Sequence, residues 1–176
     1  RLTMLVGAAA LMVVGVAAGF ALKPSARAAT EVIRFRAPIP EGTRLNLLGV
    51  VGDAFAISPD GKWLALVARP SRDAATNIYL RRLDQLDATV VPGSNGAESP
   101  FFSPDSREIG FIAGDGRLRR TAIAGGAVST ISNSEADPRS VPAWSENGQI
   151  YFRSPNFEMF SVAAGGGEPR PLLDAP

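Results

Sequence analysis

The sequence predicts an all-β fold made of repeated four-stranded sheets, preceded by one transmembrane α-helix. Residues 2–22 form an apolar run without a charge. Beyond them a serine-centred turn motif recurs at Ser58, Ser103 and Ser145, with spacings of 45 and 42 residues. Short strand-like segments between glycine and proline turns fill each interval, and helical periodicity is nearly absent there. These three observations define two physically distinct parts of the chain.

Composition removes several classes of chemistry. The 176 residues include no histidine and no cysteine. A Ser-His-Asp triad, zinc or haem ligation by His or Cys, iron–sulfur clusters and disulfides therefore cannot be built from this chain. The net charge of +1 lacks the basic excess typical of nucleic-acid binding. We expect no catalytic residue, cofactor, metal or nucleic-acid partner in this segment.

The segment Leu2–Leu22 is predicted to be a transmembrane helix that contacts the lipid bilayer. Its 21 residues would span roughly 30 Å as a helix, which is the thickness of a bilayer core. An Ala26-Arg27-Ala28 pattern follows, so a signal peptide cleaved near Ala28 is the alternative. Either reading exports the rest of the chain to the periplasm or outside the cell. Gly15 and Gly19 have the small-xxx-small spacing of a candidate homodimer contact.

Residues 23–45 are predicted to be a juxtamembrane linker that contains a candidate first strand. The stretch from Lys23 to Thr30 shows no apolar periodicity. Val32–Arg36 alternates weakly, as a strand does, and Pro38, Pro40 and Gly42 then interrupt it. Residues 46–176 are assigned to the repeat domain.

Each repeat places an apolar residue (Ile57, Phe102 or Trp144) before a tight turn and a second apolar strand after it. Proline presets φ, aspartate can accept from the backbone two residues on, and glycine takes positive φ at little cost. The second copy has Ser106 in the glycine position, which predicts mild strain or another turn type. The third lacks proline and is one residue shorter. We interpret the turn residues as structural; they are Ser58, Pro59, Asp60, Gly61, Ser103, Pro104, Asp105, Ser145, Asn147 and Gly148.

Further strand-like segments complete four strands in each unit. They are Asn77–Arg81, Thr89–Val91, Arg117–Thr121, Val128–Ile131, Phe157–Val162 and Pro171–Leu173. A period of 40–45 residues with four strands per unit is typical of β-propeller blades. Residues 31–176 hold about 3.5 such periods, whereas propellers usually close with 4–8 blades. We therefore predict a partial propeller of about three blades, with the remaining blades beyond Pro176.

At these motifs the sequence resembles a known family. Ser58–Lys62 and Ser103–Asp105 resemble the TolB-like, WD40-like propeller repeat of bacterial exported proteins. A wider pattern resembles the extracytoplasmic region of bacterial membrane serine/threonine protein kinases. It comprises Pro38–Leu45, Ile78–Asp84, Gly96–Asp105 and Gly125–Gly126. In that family a cytoplasmic kinase domain precedes one membrane helix and a propeller. Similar propellers also follow membrane helices in winged-helix transcription regulators.

The resemblance implies a membrane-anchored, non-catalytic propeller that binds a protein or small ligand through its loops. No kinase motif is present, so any kinase domain would lie upstream of Arg1. The propeller of a prolyl-oligopeptidase-type hydrolase is one alternative, and a TolB-like exported scaffold is another. Arg81-Arg82 and Arg117–Arg120 are interpreted as solvent-facing strand positions, with an anionic partner as the alternative. Trp63, Trp144, Phe101 and Phe102 are predicted to lie between blades.

Overall fold

The computed structural model describes residues 39–45 and 54–172. The predicted transmembrane helix and the candidate strand at Val32–Arg36 lie outside these residues. Within the described ranges, no helix is long and apolar enough to cross a membrane. Every described residue falls within one of the two units into which the chain divides, Pro38–Pro176.

The described residues form antiparallel strands only, in three sheets. The first sheet holds β1 (Arg44–Leu45), β2 (Phe55–Ile57), β3 (Trp63–Arg69), β4 (Asn77–Arg82) and β5 (Thr89–Val90). The second sheet holds β6 (Glu98–Phe102), β7 (Glu108–Ile112), β8 (Arg117–Ala122) and β9 (Ser129–Glu135). The third sheet holds β10 (Ala143–Trp144), β11 (Gln149–Arg153), β12 (Met159–Ala163) and β13 (Arg170–Pro171).

In the second and third sheets the strands follow one another in chain order, as in a propeller blade. In the first sheet β1 and β2 share one edge of β3. Leu45 pairs with Ala68, and Ile57 pairs with Leu64 further along the same strand. The predicted all-β fold is therefore confirmed for this part of the chain, with the predicted four strands in the second and third sheets and five in the first.

The sheets are held together by apolar clusters that join neighbouring sheets. One cluster contains Val67 and Ile78 of the first sheet with Ile109 and Phe111 of the second. Another joins the second sheet to the third. It includes Phe101, Ile112, Leu118, Ile150, Phe152 and Val162. Because successive strand residues point to opposite faces, both faces of β7 are buried, each against a different neighbour. This face-to-face packing is the arrangement that the repeat predicts.

The aromatic residues that the repeat singles out differ in burial. Phe102 is buried in the cluster between the first two sheets, and Phe101 is buried between the second and third. Trp144 packs edge-on against Phe101, with ring centroids 6.1 Å apart. Trp63 is also half-buried, whereas Ile57 is 48% exposed. Ile57, Phe102 and Trp144 thus share the last position of their strands but not the same surroundings.

Gly110 in β7 lies against the ring of Phe101 and leaves no room for a side chain. A Cβ at this position would lie 2.3 Å from the ring of Phe101, because the ring occupies that space. Replacing Gly110 by alanine should lower the free energy of unfolding by about 1–3 kcal/mol, as overpacking typically does. Chemical denaturation measures this change. The additional substitution Phe101→Leu should recover part of the loss, and the double-mutant cycle then gives the coupling between the two sites.

Gly165→Ala is the matched control, because a Cβ there meets no atom within 4 Å and the residue has no positive φ. Its free energy of unfolding should stay within about 0.5 kcal/mol of the parent. Equal losses in the two variants would contradict the packing argument.

Candidate functional site

The repeat turn of the first sheet is a closed hydrogen-bond network. The Ser58 hydroxyl donates to Asp60 Oδ1 (2.6 Å) and accepts from the Trp63 amide (2.9 Å). Asp60 Oδ1 also accepts from the Lys62 amide (3.0 Å). The Gly61 amide donates to the Ser58 carbonyl with φ +69° at Gly61, and Pro59 occupies the corner. The polar side chains are used to satisfy the backbone of the turn.

The second copy repeats this network with the same spacing. The Ser103 hydroxyl donates to Asp105 Oδ1 (2.7 Å) and accepts from the Glu108 amide (2.9 Å). Asp105 Oδ1 accepts from the Arg107 amide (3.1 Å), beside Pro104. The bond from the serine hydroxyl lowers the pKa of Asp105, as it does that of Asp60, so both carboxyls are ionised at neutral pH.

The third copy is shorter by one residue at the closing bond. The Ser145 amide donates to the Gln149 carbonyl, four residues on, where the first two copies span five residues. Asn147 Oδ1 accepts from the Gln149 amide (3.0 Å), and Gly148 has φ +76°. Asn147 and Gly148 thus occupy the positions of Asp60 and Gly61. Within residues 39–45 and 54–172, no group of three or more acidic side chains could hold a metal ion.

The second turn has Ser106 in the position that Gly61 occupies in the first turn. Ser106 adopts φ +59°, close to the φ of Gly61, so the turn type is kept and the residue is strained. Its hydroxyl accepts a hydrogen bond from the Asp60 amide (3.0 Å), which belongs to the turn of the first sheet. The strained serine therefore links two neighbouring sheets.

Substitutions at Ser106 should separate these two effects. Ser106→Ala loses the inter-sheet bond and keeps the backbone strain, so we expect a loss of about 1–2 kcal/mol in the free energy of unfolding. Ser106→Gly loses the same bond and removes the strain, so it should fall within about 0.5 kcal/mol of the parent. Urea denaturation of both variants tests the order. An alanine variant as stable as the glycine variant would show that the strain is absent.

The end of the sheets opposite the repeat turns carries a different set of connections. Successive hairpin turns of an antiparallel sheet alternate between its two ends. The repeat turns therefore lie at one end, whereas the β7–β8 turn, the β11–β12 turn and the β9–β10 connection lie at the other. A cavity of about 490 Å³ opens at this second end. It is lined by Gly96, Glu98, Ala113, Gly114, Asp115, Gly116, Glu135, Ala136, Pro138 and Pro155.

The carboxylates of this cavity differ in their environment. Glu98 is half-buried, and burial raises its pKa. Asp115 forms an ion pair with Arg119 at 2.6 Å and accepts a hydrogen bond from the Arg117 amide. Glu135 is exposed at the end of β9. The cavity therefore presents a partly desolvated acidic wall.

Beside the cavity, one buried carboxylate holds two arginines. The side chain of Asp137 is 1% exposed. Its Oδ1 accepts from the amide and Nε of Arg139, both at 2.9 Å. Its Oδ2 accepts from Nη2 of Arg139 (3.2 Å) and Nη2 of Arg153 (2.7 Å). These bonds, the one to the Arg139 side chain first, lower the pKa of Asp137 to about 2.

An aromatic ring completes this group. The guanidinium carbons of Arg139 and Arg153 lie 5.3 and 4.9 Å from the centroid of the Phe157 ring. Phe157 is 63% exposed and has φ +68° in the β11–β12 turn. Ser99, at φ +49° in β6, donates from its hydroxyl to the Pro138 carbonyl (3.0 Å) and ties the Asp137 loop to the second sheet. We call Arg139, Arg153 and Phe157 the arginine–phenylalanine cluster.

The sequence analysis did not single out this cluster. A signal was present at Arg153, which occupies the strand position of Val67 and Ile112 in the first two sheets. Both of those residues pack against the next sheet. An arginine in place of a repeated apolar residue marks a departure from the structural pattern. Phe157 likewise takes the positive-φ position that Gly116 holds in the second sheet.

The arginines that the sequence analysis singled out, in Arg81-Arg82 and Arg117–Arg120, do not belong to this cluster. Arg82 pairs with Asp84 (2.7 Å), and Arg120 pairs with Glu108 (2.7 Å). Arg81 is buried, and its Nε has no hydrogen-bond partner in the described part of the chain. Arg81 is therefore an exception to the interpretation that these arginines face solvent.

Comparisons with known proteins identify the class of fold. No family model matches the chain, and no curated protein matches it. Solved structures do match. A protein described as TolB from Agrobacterium tumefaciens has a TM-score of 0.59 and 19% identity, over 76% of this chain and 55% of its own. Oligogalacturonate lyase from Vibrio parahaemolyticus has a TM-score of 0.53 and 16% identity, over 70% of this chain and 39% of its own.

An oligogalacturonate lyase in complex with manganese also matches, with a TM-score of 0.50 and 16% identity. It is matched over 75% of this chain and 41% of its own. The described part of the chain therefore has a TolB-like β-propeller-type fold. At these identities the likeness concerns the fold alone. The chain spans about half of the TolB structure and about two fifths of each lyase.

Proposed function

We propose that this chain is a membrane-anchored, extracytoplasmic β-propeller that acts as a non-catalytic sensor or protein-interaction module. The observation that carries the proposal is the stacking of three blade-like sheets through apolar clusters, which leaves connections and a cavity at one end. Binding residues are disproportionately found on loops held by such a rigid scaffold. The uncharged run Leu2–Leu22 supplies the proposed anchor.

Absence of histidine and cysteine from the whole sequence supports binding rather than catalysis. The serines of the repeat turns are engaged in backbone hydrogen bonds and have no neighbouring base of the triad type. We further propose that the propeller belongs to the C-terminal part of a bacterial serine/threonine protein kinase. The motif resemblance described above supports this assignment. If the coding sequence upstream of Arg1 encodes no kinase motifs, the assignment to a kinase is wrong.

Labelling of a single cysteine tests the extracytoplasmic location. Residues 1–176 contain no cysteine, and Leu86 is 81% exposed, so Leu86→Cys introduces one accessible thiol into this segment. A membrane-impermeant maleimide should label this variant in intact spheroplasts. The same variant without residues 1–30 should be labelled only after lysis. Labelling of the full chain only after lysis would contradict the proposal.

A TolB-like exported scaffold without an effector domain is the second candidate, favoured by the structural likeness to TolB. In that case the apolar run is a cleaved signal. N-terminal sequencing of the exported protein distinguishes the two. A start near Ala29 supports the scaffold, and retention of Leu2–Leu22 supports the anchored module.

A further inference from the structure

We propose that the arginine–phenylalanine cluster binds a peptide segment of a protein partner that presents a carboxylate next to an apolar side chain. This inference rests on the proposed function as an interaction module and names the binding site and the partner chemistry. The site consists of Arg139, Arg153 and Phe157 beside the cavity, with the buried Asp137 as its support.

The charge of the site calls for an anion. Asp137 accepts four hydrogen bonds and is 1% exposed, so it is saturated by the two arginines and shielded from solvent. Two guanidinium groups against one carboxylate leave a net charge of +1. Within the described part of the chain, the side chains of Arg139 and Arg153 are 44% and 30% exposed. A partner carboxylate can accept hydrogen bonds from guanidinium edges that Asp137 does not use.

The guanidinium groups are also held in place before any partner binds. Asp137 fixes one edge of each group, and the Phe157 ring lies within cation–π distance of both. In the described part of the chain, Nε of Arg153 is buried and has no hydrogen-bond partner. Fixing long side chains in advance lowers the entropy that binding must spend, which favours recognition.

Phe157 is an unfavourable residue for an isolated turn. A bulky side chain at φ +68° is strained, and its ring is 63% exposed to water. The equivalent turn of the second sheet uses Gly116 at φ +78° and avoids both penalties. We expect an apolar side chain of the partner to cover the part of the Phe157 ring that the described residues leave exposed. Arginine and aromatic residues are also the types that dominate interface energetics.

The surrounding charges favour a peptide over a polyanion. Glu98 and Glu135 line the adjacent cavity, and they would repel the phosphates of a nucleic acid or an anionic membrane surface. A peptide can place one carboxylate on the cluster and direct neutral or basic groups toward the acidic wall. The partner is therefore a peptide of mixed charge with at least one acidic residue.

Selection from a phage-displayed random dodecapeptide library on the full 176-residue chain tests the proposal. We expect enriched peptides in which an aspartate or glutamate adjoins an apolar residue. The enriched peptides are then synthesised and titrated by calorimetry. A carboxamide version of the strongest peptide, with Asn or Gln in place of its acid, should bind at least about tenfold more weakly.

Two variants locate the binding site. Phe157→Gly removes the ring and relieves the strained backbone, so the variant should be at least as stable as the parent and bind at least about tenfold more weakly. Arg139→Gln should also weaken binding. Arg107→Gln is the matched control, because Arg107 is an exposed arginine in the repeat turn at the other end of the sheets. It should leave the dissociation constant unchanged.

The outcomes separate the site from the function. Peptides that bind the parent and Phe157→Gly equally would overturn the site and leave the interaction module standing. Selection of basic peptides would overturn the proposal that the partner is a peptide with an acidic residue. If light scattering shows that the parent is a dimer and that Phe157→Gly is not, the occupant of the site is another copy of the chain. Failure to enrich any peptide would count against both the site and the module.

Discussion

Replacing Phe111 by alanine should lower the free energy of unfolding by about 3–5 kcal/mol. Phe111 is fully buried in the cluster that joins the first and second sheets. Each sheet of such a repeat fold buries its apolar face only against a neighbour, so a cavity here weakens the contact between sheets. Urea denaturation followed by tryptophan fluorescence measures the loss, with Trp63 at the margin of this cluster as the reporter.

The control for Phe111→Ala is Leu86→Ala. Leu86 is 81% exposed, so its truncation should change the free energy of unfolding by less than about 0.5 kcal/mol. A loss below about 1 kcal/mol in Phe111→Ala would mean that the two sheets do not stack through this cluster.

Asparagine at position 137 should destabilise the chain by about 2–3 kcal/mol at neutral pH, because it leaves two arginines without their shared carboxylate. The loss is smaller than for a fully buried ion pair because the side chains of Arg139 and Arg153 are partly exposed. Part of the effect is pH-dependent. The folded-state pKa of Asp137 is about 2, against 3.8 as its ordinary value. The stabilisation is therefore complete above about pH 4 and is lost as the pH falls toward 2.

Denaturation curves at a series of pH values check this expectation. The difference in stability between the parent and Asp137→Asn should shrink by on the order of 1–2 kcal/mol between about pH 5 and pH 2. Asp84→Asn removes an exposed carboxylate paired with Arg82 and should leave the stability nearly unchanged at any pH. A parent–variant difference that is constant over this pH range would contradict the low pKa of Asp137.

The repeat made most of the described fold predictable. The pattern of an apolar residue, a Ser-Pro-Asp turn and a second apolar strand depends on local backbone chemistry, so Ser58 and Ser103 could be placed in turns from the sequence alone. The strands followed from alternation and from the glycine turns, as for Asn77–Arg82 and Arg117–Ala122. The first sheet was harder to predict, because β1 and β2 divide one strand position between them.

The candidate site could not be predicted in the same way. The residues of the site come from two separate parts of the sequence. Asp137 and Arg139 lie in the β9–β10 connection, whereas Arg153 and Phe157 lie at the end of β11 and in the turn after it. They come together only when these two parts meet in the fold. Nothing local distinguishes Asp137 from an ordinary loop aspartate, because its low pKa comes from hydrogen bonds to Arg139 and Arg153, which outweigh the opposite effect of burial. Ser106 is intermediate, since its strain was predicted from the missing glycine but its hydrogen bond to the first sheet was not.

The burial of β7 on both faces has a consequence for local opening of the structure. Hydrogen exchange of backbone amides requires opening of the structure around them, and the slowest amides report its most cooperative unit. The strand Glu108–Ile112 has one neighbouring sheet on each face. Its amides should be among the last to exchange with deuterium. The Arg170 amide, in the exposed edge strand β13, should exchange among the first, since Pro171 of the same strand has no amide hydrogen. The middle sheet would thus be the last to lose its order.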